Sequence, residues 1–290
     1  MRHRLSWLGG FVVLLLMSWV VCMSIPAPGS PPSARYLTAA LSSALFTPPR
    51  AQAAPSLTYP PRIKVGPATA TNWSGYVISG PAGSISDVTG SWVVPLVTCA
   101  VGETSYAAFW IGIDGDSSHT VEQTGTDSDC QNGVPTYYAW FELFPFFPRR
   151  ITTVPVGPGD IIAAEVKYDA SSAKFVLTIT NVTQNAAFAV TRWFPAQRTS
   201  AEWIAEAPAN RGGGTLPLAN FGTVDYGVNF TGVGPTNAAT VNGQTGPIAA
   251  FGAAVQAITM VSQSNAVKAQ PSGLSPDGTS FSIIWASAGP

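Results

Sequence analysis

Two glutamates stand four residues apart in "SAEWIAEAP", Ser200 to Pro208, within a chain of 290 residues of which only 10% are charged. On a strand, Glu202, Ile204 and Glu206 share one face while Trp203 and Ala205 point the other way. Carboxylates are costly to bury unless they are paired or used, so this face is a candidate for acid–base chemistry. Two further stretches carry related groups. "FWIGIDGDSSHTVEQTGTD", Phe109 to Asp127, leads from Trp110 through a Gly–Asp turn to Gln123, and "TYYAWFELFP", Thr136 to Pro145, puts Trp140 and Glu142 on one strand face. A glutamate with a pKa of about 4.3 acts as base and then as acid in acidic water. A glutamine amide does not titrate and donates a hydrogen bond at any pH. Asp114 in "IDGD" reads equally as a turn former, and Glu142 equally as a hydrogen-bonded brace for its strand.

Several chemistries are excluded by count. Beyond the leader the chain holds one histidine, His119, and two cysteines, Cys99 and Cys130. A multi-histidine zinc site and a cysteine-rich metal cage are therefore impossible, and no metal or cofactor is expected. His119 lies beside Ser117 and Ser118 without an acid to orient it, so a serine-hydrolase reading is weak and a surface position is the simpler one. There is no Walker-type phosphate loop and no basic nucleic-acid surface. The tripeptides "DTG" and "DSG" are also absent, unlike in pepsin-type enzymes.

Elements that would position these groups begin after a distinct leader. Residues 1–25 pair a basic head with the apolar run "FVVLLLMSWVVCMSI", the pattern of a secretory signal. An uncleaved anchor is the alternative, and Cys22 falls within the apolar run. Residues 26–68 are rich in Pro, Ala and Ser and read as a disordered linker or pro-segment. Within it lie one short helix over Arg35–Phe46 and a small-residue processing site, "AQA", at Ala51–Ala53. All six basic residues before Asp87 lie in this leader, whereas the remainder carries eight basic against fifteen acidic residues. A basic leader of this kind either covers an acidic cleft or is an uninvolved linker.

The body, residues 69–290, reads as β. "GSWVVPLV", "YAAFWIGID", "TYYAWFELFP", "DIIAAEVKYD", "AKFVLTITNV", "AFAVTRWF" and "TSFSIIWAS" are short, rich in aromatic or β-branched residues, and bounded by turn formers. In "KFVLTIT", Phe175, Leu177 and Ile179 face opposite to Lys174, Val176, Thr178 and Thr180. Many short strands in one domain predict an all-β, two-sheet antiparallel sandwich of the jelly-roll kind, with a closed barrel as the lesser alternative. Cys99 and Cys130, an even pair in an exported protein, predict a disulfide. Sequons at Asn72, Asn181 and Asn229 mark candidate glycosylation sites.

The stretches "WIGIDG", "QTG", "YAWFE" and "AEWIAE", in that order, with "NWSGY" (Asn72–Tyr76) and "LANFGTV" (Leu218–Val224), resemble the glutamic peptidases, the eqolisin family of acid-acting secreted proteases. The match runs from about residue 70 to the C terminus. The resemblance is to a bacterial-type member, and it departs from fungal relatives in having Ala207 and Pro208 after the second glutamate, where those tend to be more acidic. It implies a sandwich whose concave sheet is a peptide cleft, with a catalytic dyad falling on Gln123 and Glu206. Glu202 is the nearer competitor, and Trp110, Asp114 and Glu142 match positions that line or brace the cleft. Trp140 is a candidate for stacking on substrate.

In this reading the protein is a secreted, monomeric acid endopeptidase acting on polypeptides, with no nucleic-acid partner and no membrane attachment after processing. Gln123 and Glu206, 83 positions apart, must meet over one accessible patch of sheet. Donation from the Gln123 amide to Glu206 would help keep that carboxylate ionised. The rival enzyme is a jelly-roll glycoside hydrolase using two carboxylates, Glu142 or Glu202 with Glu206, which leaves Gln123 without work. The rival without chemistry is a lectin-like sugar-binding module.

Overall fold

The computed structural model describes residues 56–289. The expected signal or anchor, Cys22, the Arg35–Phe46 helix and the "AQA" site all lie outside the described residues. In chain order the strands are β1 (Lys64–Gly66), β2 (Thr69–Ala70), β3 (Trp73–Ser79), β4 (Ile85–Val93), β5 (Ala108–Ile113), β6 (Val121–Gln131), β7 (Val134–Phe144), β8 (Arg149–Ile151), β9 (Ile161–Asp169), β10 (Lys174–Asn181), β11 (Ala186–Arg192), β12 (Ser200–Glu206), β13 (Thr223–Tyr226), β14 (Ala238–Val241), β15 (Gln244–Pro247), β16 (Val255–Val261), β17 (Val267–Pro271) and β18 (Phe281–Trp285). One helical turn, Val228–Thr231, and a 3-10 stretch, Ile248–Ala254, are the helical elements among the described residues. None is long and apolar enough to cross a membrane.

Two layers result. One runs β16–β3–β12–β5–β6–β7–β8 and is antiparallel throughout. The other runs β11–β10–β9–β4 and continues from β4 to β13 and β14, with β13–β18–β17–β16 closing its far side. Strand β16 belongs to both layers: Val255–Ile258 pair with β3, and Met260 and Val261 pair with β17.

Alternation explains how the layers pack. In β10 the residues Phe175, Leu177 and Ile179 turn inward and are buried, while Val176, Thr178 and Thr180 are less so. They meet Phe109, Ile111 and Ile113 of β5 and Trp203 of β12 in one large core. Each such side chain contributes roughly 1.5–3 kcal/mol by leaving water. Cys99 and Cys130 form a disulfide across a sequence separation of 31, a loop length that corresponds to about 3–4 kcal/mol of stabilisation.

The opposite face of the first layer carries a second, smaller cluster: Trp73, Val77, Ala108, Trp110, Trp140 and Ile204, joined by Tyr59. Here the structure departs from expectation. The composition of residues 26–68 predicts a linker or pro-segment without packed elements around its prolines, yet from Ser56 onward this segment is laid on the sandwich. Thr58 pairs with Ala209, Tyr59 is 1% exposed, and Arg62 is buried against Asp116 with Nη1 to Oδ1 at 2.7 Å. Composition averages over a window and misses single anchors. One aromatic ring and one guanidinium hold a stretch that prolines keep extended.

Glycosylation is likewise restricted by burial. Asn72 and Asn181 are fully buried with their amides engaged, and only Asn229 among the three sequons is exposed.

Candidate active site

Backbone register places the candidate residues on one floor. Across β12, β5, β6 and β7 it aligns Glu202, Gly112, Gln123 and Glu142 in one row. Ile204, Trp110, Gly125 and Trp140 form the next, and Glu206, Ala108, Asp127 and Tyr138 the third. Residues two apart on a strand share a face, so all three rows point the same way. Gln123 and Glu206 lie two strands and two rows apart, with Trp110 midway between them. A Cβ at Gly125, the glycine of "QTG", would fall 2.5 Å from the Trp110 Cβ. Only the bare backbone at that position lets the indole lie across the floor.

Register alone brings Glu202, in the same row, nearer to Gln123 than Glu206; side-chain contacts separate the two glutamates. The Gln123 amide Nε2 donates to Glu142 Oε2 at 2.8 Å. Glu206 accepts from the Trp110 indole at 2.9 Å and from the Asn72 amide at 3.2 Å. Burial pushes the Glu206 pKa well above the usual carboxylate range; the charge of Glu142 pushes the same way, and the Trp110 and Asn72 donors oppose it. Burial likewise raises Glu142, against the hydrogen bonds from Tyr59 and Gln123. Glu206 and Glu142 therefore feel one another, and Glu142 bonds Gln123. Glu202 belongs to a different neighbourhood. Its carboxyl oxygens have no well-formed hydrogen bond among the described residues; burial raises its pKa against the nearby Ser200 hydroxyl, and Asp114, Asp116 and Glu122 raise it further.

The expected donation from Gln123 to Glu206 is not present among these contacts: the amide serves Glu142 instead, and tryptophan and asparagine serve Glu206. Asp114 sits at the end of β5 with φ 74° and accepts from the backbone N–H groups of Arg198 and Thr199 at 2.7 and 2.8 Å. It ties down the entry to β12 and does not touch the floor residues. His119 is exposed. Among the described residues no group of three or more His, Cys, Asp or Glu is arranged to hold a metal ion.

Contrary to the expected accessible patch, Gln123 and Glu206 are both fully buried, because the segment Ser56–Arg62 lies over them. The Tyr59 carbonyl oxygen accepts from Gln123 Nε2 at 2.8 Å, and the Tyr59 N–H donates to Glu142 Oε2 at 3.3 Å. The Tyr59 ring stacks on Trp140, 3.9 Å between centroids and 9° from parallel. Asn72 bonds the Pro60 and Pro61 carbonyls as well as Glu206. Asn72, Tyr59, Asp127 and Tyr138 were not singled out by sequence as site residues. Asn72 lies inside "NWSGY", and Asp127 is four residues, hence the same face, beyond Gln123. Nothing in the composition around Tyr59 marks it.

Residues 71–280 match the model of the Peptidase A4 family, and the chain belongs to that family. Aspergillopepsin-2 of Aspergillus niger is 29% identical over 181 residues, 54% of this chain and 62% of the relative. Scytalidopepsin B of Scytalidium lignicola is 28% identical over 170 residues, 56% of this chain and again 62% of the relative. The match thus spans less than two thirds of the length of these curated relatives. Scytalido-glutamic peptidase, solved with a transition state analog inhibitor, has a TM-score of 0.61 at 23% identity, covering 74% of this chain and 98% of that one. Aspergilloglutamic peptidase from Aspergillus niger has a TM-score of 0.50 at 25% identity, covering 63% and 99%. The two-layer β-sandwich is the fold they share.

Proposed function

We propose that this chain is an exported, monomeric endopeptidase acting on polypeptides in acid, with Glu206 as general base then acid and Gln123 as oxyanion donor. The observation that carries the reading is a peptide carbonyl, that of Tyr59, held by the Gln123 amide at 2.8 Å on the floor that also bears Glu206. In the reaction, Glu206 takes a proton from water as its oxygen attacks the scissile carbon. The carbonyl oxygen becomes an oxyanion held by Gln123. Glu206 then gives its proton to the nitrogen as the C–N bond breaks. Two carboxyl groups that feel each other in a dry site do not readily ionise together, so the charge of Glu142 works against ionisation of Glu206. Burial under Ser56–Arg62 favours protonation of both. Uncovering the floor readmits water and lets Glu206 ionise.

A sugar-cleaving or sugar-binding reading leaves the Gln123–carbonyl contact without a purpose. The test is digestion of denatured protein at roughly pH 3–4 by wild type, Glu206→Gln, Gln123→Ala and Glu142→Gln. Loss of an oxyanion donor costs on the order of 100- to 1000-fold in rate, so Gln123→Ala is expected to be nearly as inactive as Glu206→Gln. Full activity in Glu206→Gln with none in Glu142→Gln would move the base to Glu142. Chelators and serine or cysteine reagents are expected to leave activity unchanged.

A further inference from the structure

We propose that the recess formed by Trp140, Tyr138 and Asp127 is the subsite for the side chain on the amino-terminal side of the cleaved bond, and that it selects tyrosine. This rests on the reading of Gln123 as donor to the reacting carbonyl. A substrate poised to react gives its scissile carbonyl to Gln123, as Tyr59 does, and the side chain of that same residue then falls where the Tyr59 ring lies.

The recess is built for a phenol. Its wall is the Trp140 indole, against which the Tyr59 ring stacks. At its end the Tyr59 hydroxyl donates to Asp127 Oδ2 at 2.8 Å. Asp127 is fully buried and also accepts from the Tyr138 hydroxyl at 2.7 Å and the Trp140 indole at 2.6 Å. Tyr138 reaches Asp129 as well, at 3.2 Å. Three donors converge on one buried carboxyl group, and the third comes from the occupant. A phenylalanine in this place leaves Asp127 one donor short and a gap where the hydroxyl was. A leucine loses the stack too.

Sites that hydrogen-bond a substrate hydroxyl reject analogues lacking it. With two donors retained on Asp127, the expected preference for Tyr over Phe is on the order of 10- to 100-fold in kcat/KM. In the chain's own segment Pro60 follows Tyr59, and the ring restricts both residues, so the occupant lies stiffly across the floor.

The test compares peptides identical except for Tyr, Phe, Leu or Ala before the cleaved bond, digested by the acid-activated full chain, with products mapped by mass. Wild type is expected to prefer Tyr by that margin. Asp127→Ala is expected to bring the Tyr-to-Phe ratio toward one while still cutting the Phe and Leu peptides. A second arm needs only wild type. The synthetic peptide SLTYPPR, matching Ser56–Arg62, is expected to compete with substrate, and its Tyr59→Phe counterpart to compete on the order of 10-fold less well.

A wild-type ratio near one, a ratio unmoved by Asp127→Ala, or equal behaviour of the two competitors would overturn the proposal. Failure of the dyad reading looks different: activity would survive Glu206→Gln and Gln123→Ala whatever the ratio.

Discussion

Glu206 is pulled in opposite directions by its surroundings, and the balance is adjustable one atom at a time. Desolvation and Glu142 favour its neutral form, while the Trp110 indole favours the charged one. Trp110→Phe removes that donor and keeps most of the ring. The Glu206 pKa should then rise further, moving the acid limb of the kcat/KM profile to higher pH. At roughly pH 3 the rate should fall on the order of 10-fold. A pH profile that keeps its shape would mean Trp110 only packs.

The residues that sequence could name were those in short aromatic–acidic motifs: Trp110, Gln123, Glu142 and Glu206 all stand on the one floor. Glu202 against Glu206 was undecidable by alternation, since both point to the same face, and only long-range contacts from Asn72 and Trp110 separate them. Tyr59 was illegible because its significance comes from residues 64 and more positions away.

At the scale of elements, the segment Ser56–Arg62 is held at its far end by an ion pair. Burial works against the Asp116 carboxylate, but the hydrogen bonds from Arg62 and Lys64 outweigh it and hold its pKa below the ordinary value. A carboxylate with a lowered pKa stabilises its contact fully above the ordinary range and loses that contribution as pH falls through the lowered value. The clasp therefore weakens in strong acid. Asp116→Asn has no such charge to lose, so the full-length variant should become active at higher pH than wild type when transferred from neutral solution. An unchanged onset would show that other contacts hold the segment.

Strands with aromatic alternation, such as β5, β9 and β10, were legible for the reason that they line the large core. Strand β6, "VEQTGTDSDCQ", was not read as a strand because its floor-side residues Gln123, Asp127 and Asp129 are polar. Site chemistry there erases the hydrophobic pattern that periodicity reads.

For the molecule as a whole, six carboxyl groups, Glu122, Asp127, Asp129, Glu142, Glu202 and Glu206, have raised pKa values, with burial the leading cause in each; Asp127 is pushed up to about 7. The native state therefore holds more protons than the unfolded chain above the ordinary carboxylate range. Stability from these groups is complete below roughly pH 4 and declines as pH rises toward the raised values, by up to about 1.4 kcal/mol per pH unit for each group that titrates. Asp116, Asp169 and Asp277, whose pKa values are lowered, act in the opposite sense, three groups against six. Urea unfolding of wild type should show a clear fall in stability from pH 3 to pH 7. A flat or rising trend would mean that these carboxyl groups ionise in the folded protein at little cost.

Strand β16 is stitched into both layers, its first half against β3 and its last residues against β17. The layers consequently cannot slide or pivot apart without tearing a shared backbone. Room for a bulky polypeptide has to come from unwrapping the tethered stretch above the floor, while the anvil beneath keeps its shape.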